Sequence, residues 1–513
     1  MNPMFALQLA TMMRTRGVSI LACCAIGLAI GVAGCRRDDP QELAVAVIGK
    51  GPVALGDPEV PPKSEAQAVL RLNLAQGLVR FDAAGQVEPG LAERWNVSDD
   101  GLSYIFRLGS GEWPDGRPVK ARDVARLLNR HLQSGGSNHT RDSLGVVEEV
   151  VAMTDRVIEI RVRAPRPNLL HLLAQPELAL IREGLGSGPF NLGKPVAQTP
   201  ADNGAPKLRL THQLSGSDGE AGRREDILLS ALPAAEGITA FGAGRVDLLL
   251  GGTVADLPLA TRARLARGAL RFDPATGLFG LVPTRADGVL AEPEVRRLLA
   301  QAIDRDALIA ALAVPGLAPR ATVLQGSLDG LPDPLQPEWL ARPIAERRPE
   351  LVAEAERLFG GSERPRLTVA LPEGIGGDLI LARLIADWGA IGIGVERPGK
   401  GRRPDLALID TVAPSTSPAW FLRHFRCANA PVCVKEADEL LDSAREAPVA
   451  AQRAALLAQA AGLMDEAQLF LALTAPIRWS LVGDRAPGFK ENRFARHPLA
   501  GIGRRATPRG YNP

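Results

Sequence analysis

A single hydrophobic core stops growing at roughly 250–300 residues, and this chain has 513. It must therefore divide into two or three lobes with separate interiors. Hydrophobic residues make up 46% of the sequence, enough to fill those interiors. The charges nearly cancel, with 60 Lys and Arg against 58 Asp and Glu. A nucleic-acid binder would carry a clustered basic excess, so that class is set aside. Aromatic residues are 4% of the chain, with only Tyr104 and Tyr511 as tyrosines, which argues against a ligand site built on stacked rings.

The N-terminus reads as an export signal. Arg14 and Arg16 precede an almost unbroken apolar run from Val18 to Val32. The run is shorter than the ~20 residues a spanning helix needs and has the length of a signal-peptide core. It ends in Val32-Ala33-Gly34-Cys35, small residues before a cysteine, which resembles a bacterial lipoprotein signal. That resemblance implies a signal peptide over 1–34, lipid on the Cys35 thiol and a polar tether over 35–41. A plain signal peptide or an uncleaved anchor are the alternatives. The other cysteines agree with export. Cys23 and Cys24 would leave with the signal, and only Cys427 and Cys433 remain in the body. Outside the cytoplasm such a pair oxidises, whereas a zinc site needs more ligands than two thiols and the nearest histidine, His424, stands alone. A disulfide is expected.

Further on, strand-like alternation is interleaved with helical spacing. Leu43 to Ile48, Tyr104 to Leu108, Val157 to Val162, Val246 to Leu250, Leu278 to Val282 and Leu367 to Ala370 read as strands. Val295, Leu298, Leu299, Ala302 and Ile303 fall on one helical face, with Asp304 placed to cap the next helix. Leu456, Leu457, Leu463 and Met464 mark a long amphipathic helix. Ile477 to Leu481 is a late strand placed to return to the first lobe. The polar stretch from Gln198 to Arg224 reads as an irregular insertion or linker. Strands alternating with helices indicate an α/β class.

Several segments identify a family. The first runs Gln76-Gly77-Leu78-Val79-Arg80-Phe81-Asp82, then Val87-Glu88-Pro89-Gly90-Leu91. Val97-Ser98-Asp99-Asp100-Gly101 leads to Tyr104-Ile105-Phe106-Arg107-Leu108, and Asp115-Gly116-Arg117-Pro118 follows. Later come Gly186-Ser187-Gly188-Pro189-Phe190, Gly244-Arg245-Val246-Asp247 and Val295-Arg296-Arg297 to Asp304-Arg305. In order and spacing these resemble the peptide-type (family 5) extracellular solute-binding proteins of bacterial ABC importers, over about Leu43 to Ile502. Most of these residues make turns, caps and packing, so they speak for fold more than for ligand. Gly186 to Pro189 lacks the pattern of a phosphate-binding loop.

The resemblance implies a periplasmic-binding-protein-like type II fold, with two hinged α/β lobes and an extra domain inserted in the first. The expected boundaries are lobe I over 42–275 with a subdomain near 65–184, lobe II over 276–475, and a return to lobe I over 476–513. A peptide-like or other small solute would lie between the lobes and be delivered to an ABC permease. The protein would be a monomer held by the Cys35 lipid on the periplasmic side of the envelope, with no cofactor and no nucleic-acid partner. In dipeptide-binding relatives an acidic residue pairs with the ligand's amino group. The matching position here is Pro414, with Asp410 four residues earlier at the expected strand end, so a free dipeptide is disfavoured. Thr411, Ser415 and Thr416 are candidates for hydrogen bonds to the ligand, and Trp420 lies beside them, a residue type that more often packs. Non-transport sensing or chaperoning on the same fold is the alternative function.

No metalloprotease, nucleophile-elbow or zinc-ligand motif is present, and an enzyme is not expected. A triad assembled only by folding would leave no linear signature. The six histidines are scattered and expected mostly at surfaces, and Asp438 with Glu439 reads as a solvated helix face.

Overall fold

The computed structural model describes residues 42–503 apart from 52, 57–61, 134–143, 195, 197–205, 214–223 and 362. The signal segment, Cys35, His139 and Tyr511 lie outside the described residues. Two large sheets organise the rest. Strand β1 (Leu43–Ile48) runs parallel to Arg224–Leu232 on one side and Leu248–Gly252 on the other. Its sequence, LAVAVI, is apolar throughout, as a parallel strand covered on both faces requires. The sheet has seven strands and ends on β2 (Leu270–Asp273) and β6 (Arg478–Val482), an antiparallel pair. We call the body built on it lobe I.

Strand Leu208–Gln213 belongs to this sheet and pairs antiparallel with Arg224–Leu232. It lies inside the stretch expected to be irregular. Leu208 and Leu210 alternate with polar residues, and Leu210 is fully buried, so the polar composition of Gln198 to Arg224 hid a half-buried strand.

Lobe II is built on a five-stranded sheet in which β3 (Gly277–Pro283) lies between the central strand β4 (Leu406–Val412) and the edge strand β5 (Leu471–Thr474). The chain passes between the sheets twice. Pro274 to Thr276 joins β2 to β3, and Ala475 to Ile477 joins β5 to β6. These two short connections run side by side, because β2 pairs with β6 and β3 with β5. One apolar cluster continues across them, from Leu249 and Trp479 to Phe279 and Leu471. The lobes are thus joined by two adjacent strands over a shared apolar seam.

The family-like arginines hold lobe II together from inside. Helix α2 (Pro293–Ala302) opens on a proline, whose missing N–H costs nothing there. Val295, Leu298, Leu299 and Ala302 are its buried stripe. Ile303 leaves the helix in an extended conformation, and Asp304 accepts from Ala307 N at 2.9 Å to start helix α3 (Arg305–Leu312). Arg296 is buried and donates to the carbonyls of Leu290 and Ala291 at 2.7 and 2.8 Å, and of Gln468 at 3.1 Å. Arg305, also buried, donates to the carbonyls of Ala300, Arg320 and Ala472 at 2.7–2.9 Å. Main-chain oxygens thus take up the Arg296 guanidinium and the Nε and Nη1 of Arg305, while Arg305 Nη2 is buried without a hydrogen-bond partner.

A third body has its own core. Strands Ala92–Val97, Ser103–Leu108, Val157–Val162 and Val147–Ala152 form an antiparallel sheet, packed around Phe106, Trp113, Val124 and Ile160. Short helix α1 (Leu169–Leu173) adds Leu169, Leu172 and Leu173 to that core. The Gly186 to Phe190 turn lies against the end of helix Glu65–Leu74, where Gly188 N bonds Leu74 O at 2.9 Å and Phe190 N bonds Asn73 O at 3.1 Å. A Cβ on Gly188 would come within 2.5 Å of the Leu74 main chain, so glycine is required by close approach. The turn caps a helix C-terminus.

Three further helices complete lobe II at its face toward this third body: α4 (Pro418–Leu422), α5 (Lys435–Glu446) and α6 (Ala450–Glu466). Cys427 and Cys433 form a disulfide just ahead of α5. Among the described residues no helix is long and apolar enough to cross a membrane.

Candidate functional site

Strand β4 ends at Val412 and feeds a loop, Ala413 to Ser417, that turns into α4. Facing it, strand Val157–Val162 runs out through Arg163-Ala164-Pro165-Arg166-Pro167-Asn168 into α1. The two prolines keep this second segment extended and unable to join the sheet. Tyr104 on the neighbouring strand fixes it, donating its hydroxyl to Arg166 O at 2.7 Å.

Four side chains tie the two segments and their helices together. Asn168 Nδ2 donates to Ser415 Oγ at 3.2 Å, and Gln175 Nε2 to Pro414 O at 2.6 Å. Arg453 Nη1, from α6, donates to Pro165 O at 2.9 Å. Arg166 Nη2 donates to Arg445 O, at the end of α5, at 3.3 Å. Between these ties lies a cavity of about 190 Å³. Its apolar wall includes Leu172 from the third body and Trp420, Leu441 and Leu457 from lobe II. Its polar wall includes Arg166 and Arg453. Burial, with the neighbouring Arg453 charge next in size, pushes Arg166 down to about 10. Burial also lowers Arg453.

The residues singled out from the sequence separate here. Ser415, fully buried, lines the cavity and receives the Asn168 bond. Trp420 also lines it while packing edge-on against Phe421 and His424. Thr416 lies behind the wall, its Oγ1 donating to Asp329 Oδ1 at 2.7 Å, and it is Asp329 that reaches the cavity. Thr411 is exposed on β4, in register with Leu278, and takes no part in the cavity wall. The alternation of β4 turns it away from that wall.

Other expectations are corrected. Asp410 sits inside β4, short of its end, and pairs with Arg478 at 2.7 Å. The described histidines are buried or half-buried. His497 faces Asp273 at 3.1 Å, and His171 packs between Phe81 and Phe494. Burial lowers the pKa of His171, with the Asp329 charge opposing it. Asp438 is half-buried and accepts from Cys427 N at 3.1 Å, so it braces the disulfide loop where a solvated face was expected.

Arg166, Asn168, Gln175, Asp329 and Arg453 were not anticipated. They come from four separate segments, and only the Arg-Pro-Asn run after a strand hinted at a structured connection.

Residues 86–215 match the family model described as bacterial extracellular solute-binding proteins, family 5, middle region. Over that segment the chain is similar to the family 5 extracellular solute-binding proteins. Among curated family relatives, the "Probable deoxycholate-binding periplasmic protein YgiS" of Escherichia coli is 33% identical over 25% of this chain and 27% of its own length. The "Probable di/tripeptide-binding protein 5" of Pseudomonas aeruginosa is 23% identical over 84% of this chain and 89% of its own. Haemophilus influenzae OppA, solved with the peptide RPPGFSPFR, superposes with a TM-score of 0.74 at 16% identity, covering 90% of this chain and 99% of that one. At that identity the likeness carries the fold, a type II periplasmic-binding-protein architecture of two lobes.

Proposed function

We propose that the chain is the solute-capturing component of an ABC importer, closing its lobes over a small ligand in the cavity beside Ser415 and Trp420. One observation carries this reading: the cavity is walled from both sides, and side chains of each wall bond across it. A ligand touching both walls stabilises the closed form relative to the open one, and a permease can then distinguish the two. The flanking connections at Pro274 to Thr276 and Ala475 to Ile477 are short enough to serve as hinges. The proteins named for deoxycholate and for di- and tripeptides support a small-solute ligand. Lipid on Cys35 would hold the protein beside its permease, at ~0.8 kcal/mol per buried methylene. As binding proteins rather than catalysts, the relatives support a role without turnover.

The test is a thermal-shift screen of small solutes and short peptides on the purified chain. A ligand of the native state raises the melting temperature by mass action, and the reading expects a saturable rise with at least one solute that Ser415→Ala weakens. No rise across peptides, amino acids, organic acids and bile acids would contradict it.

A further inference from the structure

The cavity has a charge pattern that a neutral ligand would leave unused. Building on the cavity as the solute site, we infer that it takes a small amphipathic carboxylate, with the charged group between Arg166 and Arg453 and the apolar body against Leu172, Trp420, Leu441 and Leu457. Three other arginines line the wall: Arg426 and Arg445 share Asp442 at 2.8 and 3.2 Å, and Arg423 lies over the Trp420 ring at 5.7 Å. Arg166 and Arg453 differ. Arg166 donates to the carbonyls of Pro165 and Arg445, both at 3.3 Å, and Arg453 to that of Pro165 at 2.9 Å. Among the described residues neither has a carboxylate partner. Both are half-buried, and the chain as a whole is close to neutral, so the excess is local.

The two guanidinium groups belong to opposite walls, Arg166 to the third body and Arg453 to α6 of lobe II. Closing the walls brings like charges together in a partly desolvated space, which opposes closure. An anion between them replaces one repulsion with two charge-assisted attractions, so it supplies the cross-wall contact that shuts the site. A cationic group has less to hold it. Asp329 already accepts from Thr416 at 2.7 Å, and Asp410 is committed to Arg478 at 2.7 Å. Size narrows the class. A dry cavity of about 150 Å³ holds benzene, so about 190 Å³ accommodates a compact aromatic or branched acid.

Isothermal titration of the full chain with 3-phenylpropionate, its neutral analogue 3-phenylpropanamide and the dipeptide Ala-Phe tests this. The acid is expected to bind about tenfold more tightly than the amide. Arg453→Met should abolish that preference and Arg453→Lys should keep most of it, both with little change in melting temperature. Equal affinity for acid and amide, an unchanged preference in Arg453→Met, or no binding of the acid at millimolar concentration overturns the inference. If Arg453→Met does not fold, the acid–amide comparison on the unaltered chain decides alone. Capture of Ala-Phe without the acid would overturn the anion preference and leave solute capture standing, whereas failure of every solute in the wider screen would overturn both.

Discussion

Arg478 Nη1 lies 2.7 Å from Asp410 Oδ1, and its Nη2 lies 3.1 Å from the Asp410 carbonyl. Arg478 is the first residue of β6 in lobe I, and Asp410 belongs to β4 in lobe II. The pair therefore spans the seam beside the two connecting strands. Burial raises the Asp410 carboxyl above its usual range despite the opposing pull of Arg478, so this ion pair stands in a poorly solvated place. Removing one partner of such a pair leaves the other charge unpaired, at a cost of about 3 kcal/mol. Arg478→Met should lower stability by that order. Asp410→Asn should cost less, since its amide oxygen still accepts from Arg478. Denaturant unfolding of both single variants and the double variant checks this, with the double costing less than the sum.

Asp465 governs a pH response. It accepts from Val323 N at 2.8 Å near Arg320, and burial pushes its pKa up from 3.8 to about 7. A folded pKa above the unfolded one means that the folded state holds the proton more tightly. Its contribution is fully present below pH 3.8 and is lost as pH rises through about 7. Asp465→Asn keeps the acceptor for Val323 and removes the titration. It should raise stability at pH 8 by on the order of 2 kcal/mol and leave it nearly unchanged at pH 4. Melting temperatures of both proteins across that range provide the check.

Ser415 and Thr416 should separate in effect. Ser415→Ala removes the acceptor of Asn168 Nδ2 across the cavity, a loss of about 1 kcal/mol that should appear as weaker solute affinity with little change in melting temperature. Thr416→Ala acts by freeing the Asp329 carboxylate from its 2.7 Å bond. It should weaken an anionic solute and improve a cationic one. Titration of each variant with an acid and an amine distinguishes the two effects.

Cys35→Ala should move the protein from the membrane fraction to the soluble periplasmic fraction, because the lipid attached at that thiol is the proposed anchor. Fractionation of cells expressing each form measures it. Retention of the variant in membranes would instead indicate an uncleaved N-terminal helix.

Elements with one strong periodicity were legible in the sequence. LAVAVI and LFGLV are apolar on both faces, as central strands must be, and α2 with the Asp304 cap has a stripe and a stop signal that local chemistry alone dictates. The strand Leu208–Gln213 was not legible, because four of its six residues are polar and the segments on either side are rich in glycine and charge. For the site, Ser415 and Trp420 could be reached through the loop after β4. Thr411 could not be told from them, since one residue of strand register decides which face it takes. Arg166 and Arg453 are separated by most of the chain, and nothing local distinguishes them from surface arginines. Only the docking of the third body on α6 removes their water and denies them a carboxylate.

Small-angle scattering on the purified chain, with and without the solute giving the largest thermal shift, tests closure most directly. The account predicts a smaller radius of gyration when the solute is bound, with the contraction reduced in Ser415→Ala. An unchanged radius at saturating solute would contradict two lobes closing over a ligand.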